Sequence, residues 1–172
     1  MSRKACRPVR RIRLHDMLTI ALLAFPVAPA FADTATTTFS VTATVNHACL
    51  VSASDLNFGV YDPFSETAND GATTLGITCT IGTTYDVGLS AGLGSGATVA
   101  ARKMTAGEDT LTYSLYRDAS RSQVWGVTVD TDTVPGTGTG GVQALDVYGR
   151  IPALQSVPPA TYTDTITVTV WY

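Results

Sequence analysis

Charge is scarce in this chain: of its 172 residues only 15% are Asp, Glu, Lys or Arg. The basic side chains are also crowded at the start, because Arg3, Lys4, Arg7, Arg10, Arg11 and Arg13 are six of the 11. Beyond Asp16 only five basic residues face 13 acidic ones, a formal charge of −8. A surface of that sign repels phosphate backbones and anionic lipid heads, so nucleic acid is not expected as a partner. Histidine is nearly absent, with His15 and His47 alone. Zinc takes about four ligands, so neither a metal nor another cofactor is expected. Long apolar runs are missing too. The run that begins at Met17 reaches Ala24, and Pro26 and Pro29 break the stretch beyond it. That is well short of the roughly 20 residues that cross a bilayer, so no stable membrane insertion is expected. Nor does any segment show the 3.6-residue apolar period of a long amphipathic helix.

What is present at the start is a basic stretch, a short apolar run and the small-residue pattern Ala30-Phe31-Ala32. Together they read as a signal peptide over residues 1–32, with the mature chain starting at Asp33. The remaining 140 residues fit one domain with a real core. Export removes Cys6 and leaves Cys49 and Cys79 in an oxidising compartment, where they are expected to bond to each other. Closing the 30-residue span between them contributes roughly 3.6 kcal/mol in the chain-entropy model.

Through the mature chain apolar residues alternate or form short runs rich in Val, Thr, Ile and Tyr, separated by Gly, Asp and Pro clusters. That is strand spacing. Strands are predicted over residues 39–45, 49–54, 73–81, 85–90, 111–116, 124–129, 142–151 and 162–171, with the Gly- and Thr-rich residues 134–141 as a mobile loop. Many short strands with turns between them predict an all-β sandwich with Greek-key connections. The two ends of the chain match each other. Phe39, Val41, Ala43 and Val45 share one face of the first segment, with Ser40, Thr42 and Thr44 on the other. In the last, Ile166, Val168 and Val170 alternate with Thr165, Thr167, Thr169 and Trp171, and nothing follows to pair with that strand. A polar leader, residues 34–38, precedes the first segment.

Signals for chemistry are weak. Gly136, Gly138 and Gly141 fit G-x-G-x-x-G, but a strand-like segment follows where a dinucleotide site needs a helix. Asp130 and Asp132 are too few for a calcium site. Adjacent Glu108 and Asp109 point to opposite faces of a strand and do not form a glycosidase pair. Trp125, Tyr113, Tyr116 and Tyr148 are read as core or sandwich-edge aromatics, not a sugar platform. His47 has no evident nucleophile beside it and is read as structural. No enzymatic activity is expected.

The order and spacing of several short motifs resemble the spore coat protein U domain family, which includes the subunits of archaic chaperone-usher pili. The motifs are Phe39-Ser40-Val41-Thr42-Ala43-Thr44-Val45 ahead of Cys49, Leu56-Asn57-Phe58-Gly59, Cys79, Arg102-Lys103-Met104 and Leu111-Thr112-Tyr113-Ser114-Leu115-Tyr116. They continue through Val124-Trp125-Gly126 and Val147-Tyr148-Gly149-Arg150-Ile151-Pro152 to Tyr162-Thr163-Asp164-Thr165, with Ala160 in place of the family's usual Gly. The resemblance implies an incomplete immunoglobulin-like β-sandwich lacking its last strand, completed by a donor strand from another subunit. Residues 33–45 would be the donor extension, with Phe39, Val41, Ala43 and Val45 as its plugs. Residues 46–172 would be the incomplete domain, with Ile166, Val168 and Val170 on the acceptor strand. The implied partners are other copies or related pilin subunits, a periplasmic chaperone and an outer-membrane usher. The implied role is a fimbrial subunit exported through the periplasm to the cell surface for attachment and biofilm formation, with a secreted spore-coat-like or adhesive protein as the alternative.

Overall fold

The computed structural model describes residues 31–172; most of the expected leader, with Cys6, lies outside the described residues. The chain divides into two units, Met1–Thr42 and Ala43–Tyr172, and every strand among the described residues belongs to the second. In chain order the strands are β1 (Cys49–Ala53), β2 (Asn69–Cys79), β3 (Thr84–Leu89), β4 (Arg102–Ala106), β5 (Asp109–Tyr116), β6 (Val134–Thr137), β7 (Gln143–Ile151) and β8 (Val168–Trp171). No helix occurs among the described residues, and hence none long and apolar enough to cross a membrane.

Two sheets stack. One runs β1-β2-β7-β5-β4, the other β6-β3-β8, and every pairing between strands is antiparallel. Period-two alternation decides which side chains face inward. Leu75, Ile77 and Cys79 of β2, Leu111, Tyr113 and Leu115 of β5, and Val147 and Ile151 of β7 are buried, and they meet Tyr85, Val87 and Leu89 of β3. Trp125 closes this core, wholly buried, its indole N–H donating to the Val87 carbonyl at 2.7 Å. Cys49 and Cys79 form a disulfide that ties the first residue of β1 to its register partner at the end of β2.

Five segments depart from the sequence reading, the first being residues 39–45, which lie in no strand. Residues 124–129 are not a strand. Val124 makes one isolated bridge to Tyr116, and the Trp125 and Gly126 amides donate to the Leu115 and Asp132 carbonyls, so a turn carries the apolar residues inward. Residues 134–137 are strand β6, not mobile loop, because Gly136 lets the backbone lie flat on the Tyr85 ring. Strand β4 carries only a short apolar alternation, Met104 and Ala106, since its first inward residue is Arg102. Of residues 162–171 only the end pairs continuously. Thr163 bridges Thr105 of β4, and from Val168 onward the chain pairs with β3, so this segment changes sheets.

Candidate functional site

β8 is an edge strand: it pairs with β3 on one side and with no other strand among the described residues. Beside that free edge runs a groove of about 940 Å³. One wall is the irregular stretch after β1, with Leu56, Phe58 and Tyr61; the other is the approach to β8, with Val157, Tyr162, Ile166 and Val168. Its floor is the core itself: Leu75, Leu111, Tyr113, Leu115, Val147 and Ile151 from the large sheet and Leu89 from β3. The wall apolar residues are only half-buried, which is what a sandwich with a strand-wide opening leaves.

Polar contacts hold the walls open. Tyr61 Oη donates to the Pro152 carbonyl at 2.9 Å and accepts from the Gln155 amide at 2.7 Å, while Gln155 is itself bonded to both backbone groups of Thr112 on β5. Asn69 Nδ2 donates to the Phe58 and Val60 carbonyls. At the β8 wall Tyr113 Oη donates to Asp164 Oδ2 at 2.7 Å, and Asp164 Oδ1 accepts from the Leu93 amide at 2.8 Å. Burial, with the Asp164 carboxylate next to it, pushes the Tyr113 phenol far above its ordinary pKa, so it stays a donor at all ordinary pH. Under this wall lies Arg102, fully buried, donating to the Ser90, Val99, Leu89 and Trp125 carbonyls. Burial brings its guanidinium down to about 10, still protonated at neutral pH. Neither Arg102 nor Asp164 stood out in the sequence as a positioning residue. Both lie in motifs whose meaning is packing, which a single sequence does not expose.

The expected acceptor residues divide. Ile166 and Val168 line the groove; Val170 does not, and packs half-buried on the core opposite Val87. The expected plugs Phe39, Val41, Ala43 and Val45 lie in no strand, and all are exposed. His47 Nδ1 is 2.9 Å from Thr83 Oγ1, which is 2.6 Å from Thr80 Oγ1. The Ala48 amide and carbonyl both bond Thr80. Residues 47 to 49 are thus fastened in succession to the β2–β3 turn. Elsewhere, Trp125 and Tyr113 are core, Tyr116 and Tyr148 sit side by side on the outer face of the large sheet, and Glu108 and Asp109 are exposed at the β4–β5 turn. Asp132 is engaged by the Thr128 amide, and no group of three or more His, Cys, Asp or Glu among the described residues is placed to hold a metal ion. Ala160 is not among the residues with positive φ, so alanine suits that turn.

The model of the Spore Coat Protein U domain matches residues 35–169. The chain belongs to this family. Within it, the chain is 39% identical over 167 residues to Protein U of Myxococcus xanthus, covering 88% of this chain and 92% of that protein. Among solved structures it is similar to a chain in the CsuC-CsuE chaperone-tip adhesion subunit pre-assembly complex from archaic chaperone-usher Csu pili of Acinetobacter baumannii, with a TM-score of 0.57 and 24% identity. That match covers 75% of this chain and 41% of the other, and it establishes a shared fold. A weaker likeness, TM-score 0.38 and 18% identity over 70% of this chain and 79% of the other, is to the E. coli Hda pilus minor tip subunit, HdaB.

Proposed function

We propose that this Spore Coat Protein U domain protein is a structural subunit of a chaperone-usher-type surface fibre, polymerised when residues 33–45 of one copy fill the groove of another. The observation that carries this reading is the apolar groove beside the approach to the edge strand β8, from Val157 to Val168, in a chain that also has an exposed alternating segment at residues 39–45. A strand laid there adds main-chain hydrogen bonds to the free edge and plugs the groove with alternate side chains. It also covers an edge that otherwise invites aggregation. Phe39, Val41, Ala43 and Val45 are the plugs, and Ile166 and Val168 the acceptor wall. A periplasmic chaperone occupies the groove before assembly and an outer-membrane usher exchanges it for the next subunit, on the way to a surface role in attachment and biofilm formation.

A contrast of neighbouring residues tests this. Val41→Asp places a carboxylate in the groove, at a cost of several kcal/mol, whereas Thr42→Asp points the other way. Chaperone-bound monomer is expected for both variants and polymer only for Thr42→Asp. Equal polymerisation of the two would remove residues 33–45 as the donor. Loss of the chaperone-bound monomer with Val41→Asp would make the segment part of the subunit's own fold. The name of the family, Spore Coat Protein U domain, favours a second reading, deposition as a coat on the cell. Electron microscopy of cells with and without the gene separates fibre from coat.

A further inference from the structure

The sandwich has two ends, and each exposes large apolar side chains. At the end where β1 and β2 are joined by the disulfide stand Leu50, Ile81 and Val142, 74%, 82% and 75% exposed. Leu50 and Val142 flank Thr78 on the outer face: Leu50 is its register partner, and Val142 directly precedes Gln143, the partner of Ile77. Ile81 is in the turn just past Cys79. At the other end, where β2 begins and β7 finishes, Val60 and Phe64 are 93% and 87% exposed beside the mouth of the groove. Apolar side chains gathered at both ends of one axis mark contact surfaces more than scattered ones do.

We infer that these two ends bind each other between successive copies, Val60 and Phe64 of one against Leu50, Ile81 and Val142 of the next. The inference rests on the donor-strand reading and deepens it, and chain connectivity identifies the occupant. β8 runs toward the disulfide end, since Trp171 is opposite Asp86 near the start of β3. Every strand pair in the sandwich is antiparallel, so a donor paired antiparallel to β8 runs the other way and brings its Val45 to the Val60–Phe64 end. The donor's own body then begins almost at once. His47, Ala48 and Cys49 are fastened to the turn at its disulfide end, two residues after Val45. Two extended residues span about 7 Å. The only surfaces that short a tether can bring together are the groove mouth of one copy and the disulfide end of the next.

The test uses polymer made by the full chain with its chaperone and usher. Phe64→Cys and Ile81→Cys are combined in one chain, the fibres are oxidised in air, and boiled samples are run without reductant so that non-covalent donor pairing is lost. A ladder of covalent multimers is expected, with mass spectrometry locating the bond between residues 64 and 81. Each single variant is expected to give monomer. Both positions are highly exposed, so folding is spared; wild-type levels of chaperone-bound monomer check this. Fibres that yield only monomer from the double variant overturn the contact and leave the donor strand standing. Covalent dimer from either single variant overturns the head-to-tail order, because like ends would then meet. Absence of any polymer from the wild-type chain overturns both readings together.

Discussion

Cys49 and Cys79 are opposite each other in register, at the point where an edge strand of five residues meets the large sheet. β1 pairs on one side only, so without the disulfide it is held by a single short ladder. Replacing either cysteine with Ala is expected to cost about 2–5 kcal/mol, read as a fall in denaturant midpoint that reductant reproduces in the unmodified protein. Arg102 acts at the same scale and is much harder to foresee. Its four donated bonds satisfy carbonyls of Ser90, Val99, Leu89 and Trp125. Arg102→Met fills a similar volume but leaves those carbonyls unpaired in the interior, and a loss of about 3–5 kcal/mol is expected. Arg102→Lys should recover only part, because an ammonium offers three donors from one point where the guanidinium offers a planar fork. Equilibrium denaturation of the three proteins checks the order. Sequence alone marks an arginine as a surface residue; only the backbone carbonyls that the fold converges on it, from Leu89, Ser90, Val99 and Trp125, reverse that.

Element by element, the legible strands are those that bury one face. β2, β3, β5 and β7 each carry apolar residues at every second position of their buried stretch, and that period is visible in the order of residues alone. β4 and β6 are not legible in this way because their place is set by partners, not by their own pattern. In β6 the deciding residue is Gly136: a Cβ there would run into the buried Tyr85 ring, 2.5 Å from its Oη. Gly136→Val is therefore expected to peel β6 from β3 or displace Tyr85, at roughly 1–3 kcal/mol. Faster amide exchange confined to residues 134–137 and their partners on β3 would be its signature; unchanged exchange there would mean the ring gives way without cost. The candidate site is legible in part for the same reason. Ile166 and Val168 announce a groove wall by alternation, yet Val170, on the same face of the same strand, packs on the core and not in the groove. The opposite wall, with Leu56, Phe58 and Tyr61, alternates only briefly and pairs with no strand; it is held by the Asn69 side chain, the Tyr61 hydroxyl and the Gln155 backbone amide.

For the whole molecule, the groove floor is the domain core, so filling the groove and completing the fold are one event. This makes the stability of the isolated chain a direct measure of the proposal. Consider a protein in which a second copy of residues 33–45 follows Tyr172 through a flexible linker long enough to turn back along β8. The added strand buries Phe39, Val41 and Val45 equivalents that otherwise face water. Full burial of such a side chain contributes about 1.5–3 kcal/mol. Ordering the strand offsets much of that, and the main-chain hydrogen bonds it adds to β8 tip the balance, so the fusion is expected to raise Tm. The fused protein is expected to be monomeric by light scattering, while the unmodified mature chain, made without a chaperone, is oligomeric or aggregated. The same fusion carrying Asp at the copied Val41 position separates strand insertion from a mere effect of a longer tail. It should return both Tm and oligomeric state to those of the unmodified chain. A stable monomer from the unmodified mature chain, with no rise in Tm on fusion, would show that the groove needs no strand, and the domain would have to be regarded as complete without one.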